Sequence, residues 1–117
     1  MKVKTYSQDR EDLFIVENST KLGIPELREI GTYIDVGAGD GVFLSNTYLF
    51  ELIGWKGVCV EPDPTQHDKA RRCRDEVLHR VVTQQRGLIN FPCTDKHELS
   101  GMIEYPENNT HISLYIQ

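Results

Sequence analysis

Three glycines at alternating positions, Gly37, Gly39 and Gly41, stand directly behind a short β-rich run, Thr32-Tyr33-Ile34-Asp35-Val36. No other stretch narrows the possible folds as far. Glycine turns the chain tightly and leaves no Cβ in the path of an approaching ligand. From Val42 to Leu52 the apolar spacing becomes helical, with Phe43, Thr47, Phe50 and Leu44, Tyr48, Leu52 as spaced sets, and Gly54 closes that helix. The segment predicts a strand, a glycine turn and a helix. Gly57-Val58-Cys59-Val60-Glu61 follows as a continuous apolar run, the pattern of a buried parallel strand.

The rest of the chain extends this alternation. Residues 9–18 read as a helix, with Leu13, Val16 and Ile15 apolar and acids Asp9, Glu11 and Asp12 in the first turn, where the helix dipole favours them. Pro25 opens a second short helix through Ile30, which Gly31 ends. Pro62 and Pro64 mark a turn, residues 65–74 form a charged exposed helix, and Val77 to Thr83 form a third strand. Gln84 to Gly87 turn the chain toward a hairpin partner at Leu88–Phe91, and Pro92 to Gly101 are loop-like. Ile112, Leu114 and Ile116 alternate with polar residues as in a strand. Strands alternating with helices give an α/β fold with a parallel sheet and right-handed crossovers. Ligands of such sheets bind at the carboxyl ends of the strands.

Composition excludes several classes. The net charge is −5, and the basic cluster of Lys69, Arg71, Arg72 and Arg74, with Arg80 and Arg86 beyond, is interrupted by Asp68, Asp75 and Glu76. That cluster reads as a solvated helix face, and no nucleic-acid partner is expected. Three cysteines, Cys59, Cys73 and Cys93, form no Cys-x-x-Cys pair, so reduced thiols are expected and Cys59 is placed in the core. No segment reaches the roughly 18 apolar residues of a membrane span, and no apolar signal region opens the chain. The expectation is a cytoplasmic protein without a membrane partner.

The chemistry lies in Asp35-Val36-Gly37-Ala38-Gly39-Asp40-Gly41. A helix start after such a loop offers free N–H groups to a carboxylate. Asp35, at the strand end, is placed to hold an ammonium group. Glu61 ends the next strand 20 positions after Gly41, where a carboxylate can accept hydrogen bonds from both ribose hydroxyls. Dinucleotide loops prefer Gly-x-Gly-x-x-Gly, with a pyrophosphate on the helix start. The spacing here is shorter, and Asp40 would set a negative charge against the pyrophosphate. S-adenosylmethionine, which carries a sulfonium, suits the loop better than NAD.

The sequence resembles the FkbM family of methyltransferases. The resemblance rests on Tyr6-Ser7-Gln8 with Glu11-Asp12-Leu13-Phe14-Ile15 and on Tyr33-Ile34-Asp35-Val36-Gly37-Ala38 with Asp40-Gly41-Val42. It continues through Ser45-Asn46-Thr47-Tyr48, Gly54-Trp55-Lys56-Gly57-Val58-Cys59-Val60-Glu61-Pro62 and Leu99-Ser100-Gly101. Gly39 stands where the family often has Asn. The resemblance implies a Rossmann-like sheet of the S-adenosylmethionine-dependent methyltransferase type and methyl transfer, usually to an oxygen of a sugar, polysaccharide or natural product. It implies a cofactor site lined by Asp35, Gly37, Ala38, Gly39, Asp40, Gly41, Glu61 and Pro62. Gln8 and Asp12 would help to close the site, Ser45 to Thr47 would lie near it, and Gln84 would meet the adenine amino group.

The family's second half, with its Asp-x-Glu-Gly-like segment, is absent. Residues 1–105 are therefore read as the cofactor-binding part and 106–117 as a short tail or partial strand, with the sheet cut after about half its strands. Such a cut leaves an unpaired edge and predicts self-association or a missing C-terminal partner chain. An alcohol acceptor benefits from a general base. His79, His97, His111 and Glu104 are available, but each reads as a solvated side chain, and no catalytic residue is assigned. No residues have metal-ligand spacing. Two alternatives remain: a catalytically inactive fragment that binds cofactor or a partner, and an NAD-binding oxidoreductase module.

Overall fold

The computed structural model describes residues 3–23, 31–84 and 86–88. Their order is α1 (Glu11–Glu17), β1 (Thr32–Val36), α2 (Tyr48–Leu52), β2 (Lys56–Val60), α3 (Pro64–Cys73) and β3 (Val77–Leu78). The three strands form one sheet in the order β1-β2-β3, and both pairs are parallel. The expected α/β fold with a parallel sheet is therefore present. The expected helix at 25–30, the hairpin partner at 88–91, the strand at 112–116 and the division at residue 105 lie largely or wholly outside the described residues.

β1 forms where it was expected, because Gly31 and Gly37 bound the β-branched and aromatic run. Register pairs Ile34 with Val58 and Asp35 with Cys59. One face of the sheet therefore carries Tyr33, Asp35 and Cys59, and Cys59 is fully buried, as expected. The other face carries Ile34 and Val36, which are 73% and 58% exposed.

Two elements and the basic cluster differ from expectation. The helix expected over 42–52 is only Tyr48–Leu52. Asp40 Oδ1 accepts from the amides of Val42 and Phe43, and Ser45 Oγ accepts from those of Thr47 and Tyr48. Leu44 between them is left-handed, at φ 57°. Short polar side chains thus take the amides that a helix would use, and the helix starts late. The third strand, expected to Thr83, pairs only at Val77–Leu78. Its neighbour β2 ends at Val60, and Pro62 has no N–H to continue the ladder. The basic cluster is not wholly solvated. Lys69, Arg71 and Arg72 are exposed, but Arg74 is buried beneath the glycine turn.

α3 starts on a strong cap. The Asp63 carboxylate accepts from the amides of Thr65 and Gln66, and Pro64 occupies the first turn. Gln66 and Ala70 are its buried residues, and Arg74, one helical turn further, continues that face.

Candidate functional site

The glycine turn and the end of β2 are built as one unit. The amides of Gly37 and Ala38 donate to the Val60 carbonyl at 2.8 and 3.2 Å. The amide of Gly39 donates to Glu61 Oε1 at 2.7 Å, and that of Asp63 donates to Glu61 Oε2 at 2.8 Å. Glu61 is buried, so both oxygens work as backbone acceptors while each keeps a further lone pair. Burial pushes the Glu61 carboxyl above its ordinary value and the charge of Asp63 pushes the same way; the two amides and His79 oppose them.

The three glycines serve different ends. A Cβ on Gly37 would meet nothing within 4 Å, and one on Gly39 would meet only Gln66 Nε2 at 4.0 Å. Both face open space. Gly41, at φ +90°, faces α3, where a Cβ would come within 2.7 Å of Arg74 Cγ and 3.3 Å of Ala70. Gly41 therefore serves close packing of the turn on α3, and Gly37 and Gly39 leave room on the turn's outer side.

The expectation that a helix start after Gly41 presents free amides is corrected by the same geometry. α2 begins seven residues later, the amide of Gly41 donates to the Ala38 carbonyl, and those of Val42 and Phe43 turn to Asp40. Among the described residues, carboxylates outnumber the one buried cation, Arg74, around the turn. Asp35 and Asp40 are half-buried, and Glu61 and Asp63 are buried.

Asp35 lies at the carboxyl end of β1, where its Oδ2 accepts from the Thr47 hydroxyl. Pro62 is buried, and its carbonyl accepts from His79 Nε2 at 2.8 Å. A carbonyl only accepts, so Nε2 carries the proton. The His79 ring stacks on His67 at 4.8 Å between centroids; His79 is exposed, as expected, and its Nε2 also supports the Glu61–Pro62 turn. His97, His111 and Glu104 lie outside the described residues.

Gln8 and Gln84 are exposed, and no hydrogen bond ties either side chain to the turn. The N-terminal segment nevertheless docks beside it. Ser7 bridges Leu44 in parallel, and Ser7 Oγ donates to the Ser45 carbonyl at 3.2 Å. Asp12 is completely buried and anchors that segment. Its carboxylate accepts from Thr5 Oγ1 at 2.6 Å, from the amides of Tyr6 and Leu13 at 2.8 Å each, and from that of Ser7 at 3.4 Å. Burial alone would raise the Asp12 carboxyl, but these donors outweigh it and hold it below the ordinary value. Asp12 is thus spent on structure.

Arg74 is the group that the charge pattern concealed. The signal was present, because Gln66, Ala70 and Arg74 fall on one helical face around a small alanine, away from Asp68, Arg71 and Arg72. Cys59 lies against this cluster, and burial pushes its thiol up to about 12, as an inert core group. An open groove of about 530 Å³ beside α3, lined by His67, Lys69, Arg71, Arg72 and His79 among others, includes no residue of the glycine turn. Among the described residues no group of three or more His, Cys, Asp or Glu could hold a metal, and no helix is long and apolar enough to cross a membrane. No protein-family model matches the chain, and no curated protein matches it.

Proposed function

We propose that this chain binds S-adenosylmethionine through residues 35–41 and Glu61, as the cofactor part of a Rossmann-like methyltransferase acting on a hydroxyl of a sugar, polysaccharide or natural product. The observation that carries the reading is the hydrogen bond from the Gly39 amide to Glu61. It sets the turn after β1 against the acid after β2, at the strand ends where open α/β sheets take their ligands. The open space at Gly37 and Gly39 gives a ligand room to approach the backbone. Four carboxylates around the turn favour a ligand with positive charge over a pyrophosphate.

When bound, the cofactor supplies an activated methyl group. In this reading Glu61 uses its remaining lone pairs for the ribose hydroxyls, and Asp35 receives the ammonium group. The protein's part is to orient the reactants and exclude water. Calorimetric titration with S-adenosylmethionine, with NAD as control, tests this. Saturable binding that weakens at least about tenfold in Glu61→Ala, the worth of one charged hydrogen bond, supports the reading. Absence of binding by the folded chain, or preferential binding of NAD, overturns it.

A second reading, a cofactor-binding chain that works only with a partner, is favoured by the exposure of Ile34 and Val36 on β1, an edge strand of the described sheet. Sedimentation separates the two, since a monomer active in methyl transfer excludes the second.

A further inference from the structure

The Arg74 side chain is completely buried, and its donors fan out over one short stretch of chain. Nη1 donates to the Gly41 carbonyl at 2.8 Å and to Ser45 Oγ at 3.4 Å. Nη2 donates to Thr47 Oγ1 at 2.9 Å, and Nε donates to the Glu51 carboxylate. The rings of Tyr33 and Tyr48 flank the guanidinium at 5.3 and 5.5 Å.

A guanidinium has donors only, so Thr47 Oγ1 must accept from Arg74. The single Thr47 proton is left for Asp35 Oδ2, to which it donates. Arg74 Nη1 stands 4.0 Å from that same oxygen. One buried cation therefore faces two carboxylates. Glu51 takes Arg74 Nε and also the Asp75 amide, at 2.6 Å. The surplus negative charge falls at Asp35, beside the glycine turn.

We infer that Arg74 and Thr47 are positioning residues: Arg74 fixes the 41–47 turn and the direction of the Thr47 hydroxyl, and Thr47 thereby fixes the Asp35 carboxylate that receives a cationic amino group of the ligand. The inference rests on the cofactor reading above and deepens it. Arg74 and Thr47 touch no ligand themselves. Lysine cannot replace Arg74, because one ammonium cannot span acceptors that a planar fork reaches together.

Wild type, Thr47→Val, Thr47→Ser and Arg74→Lys are compared as full chains by two measurements: amide hydrogen exchange without ligand and calorimetric titration with S-adenosylmethionine. Thr47→Val removes only the hydroxyl. It also leaves the buried Arg74 Nη2 without that acceptor, so it is expected to stay folded at a lowered melting temperature and to weaken binding about tenfold, and Thr47→Ser is expected to restore both. Arg74→Lys is expected to speed exchange across 42–48 at least about tenfold while β1 and β2 keep their protection. Wild-type affinity in Thr47→Val overturns the relay, and wild-type exchange in a folded Arg74→Lys overturns the role of Arg74. If Arg74→Lys does not fold, the two Thr47 variants decide. If wild type binds no S-adenosylmethionine, the cofactor reading fails and the assignment to Asp35 falls with it; the exchange measurement still decides whether Arg74 orders the turn.

Discussion

Asp12 and Glu61 are both buried carboxylates on segments that meet the glycine turn, and the fold treats them in opposite ways. Asp12 collects four donors from the N-terminal segment and is held below its ordinary value. Glu61 collects two backbone donors, and burial drives it above its ordinary value. A buried acid whose acceptor sites are filled locks a structure. A buried acid kept at an energetic cost, with acceptor capacity to spare, has the character of a binding group.

The largest test of that contrast is Asp12→Ala. It leaves buried donors without an acceptor and should cost about 3 kcal/mol or more in urea unfolding, since each orphaned donor costs roughly 1–3 kcal/mol. A loss under about 1 kcal/mol would erase the distinction. Glu61→Ala comes next. It orphans the amides of Gly39 and Asp63 but relieves a buried charge, so its stability cost should be smaller, about 1–2 kcal/mol, while the proposed binding of S-adenosylmethionine suffers most. Equal stability costs in the two variants would break the comparison.

The acids also predict opposite responses to pH. The folded value of Asp12 lies below the ordinary 3.8, so its stabilisation is present above 3.8 and is lost as pH falls through the lower folded value. The folded value of Glu61 lies above 4.5, so its contribution is in force below 4.5 and is lost as pH rises through the raised value. Unfolding free energies of wild type, Asp12→Asn and Glu61→Gln at stepped pH should therefore diverge in opposite directions. The smallest effect is the exposed baseline. Asp68 pairs with Arg71 and Arg72 at the surface, and Asp68→Ala should cost less than about 0.5 kcal/mol by thermal melting, with the residue vanishing in salt.

The parts legible in the sequence were those governed by backbone preference. Gly31 and Gly37 delimit β1, and the helix expected over 65–74 forms as α3, shifted by one residue. What escaped was decided by side chains acting at a distance. Helical spacing over 42–52 gave no warning that Asp40 and Ser45 would claim the amides. The length of β3 depended on where its neighbour stopped. The roles of Arg74 and Asp12 depended on groups 33 and seven positions away, respectively, and local charge density pointed to the wrong surroundings for Arg74.

The contact between the Gly41 backbone and the Arg74 stem also has an evolutionary consequence. Any side chain at position 41 collides with the arginine, and loss of the arginine removes the nearest obstacle while Ala70 at 3.3 Å and the backbone at φ +90° still restrict the position. The two positions are thus under joint selection. Among descendants of this chain they should covary, with bulk entering at 41 only after a shorter residue has been accepted at 74. Gly37 and Gly39 face open space but sit at φ +77° and +61°, so their exchange is restricted by the left-handed backbone and by whatever ligand they admit, not by Arg74.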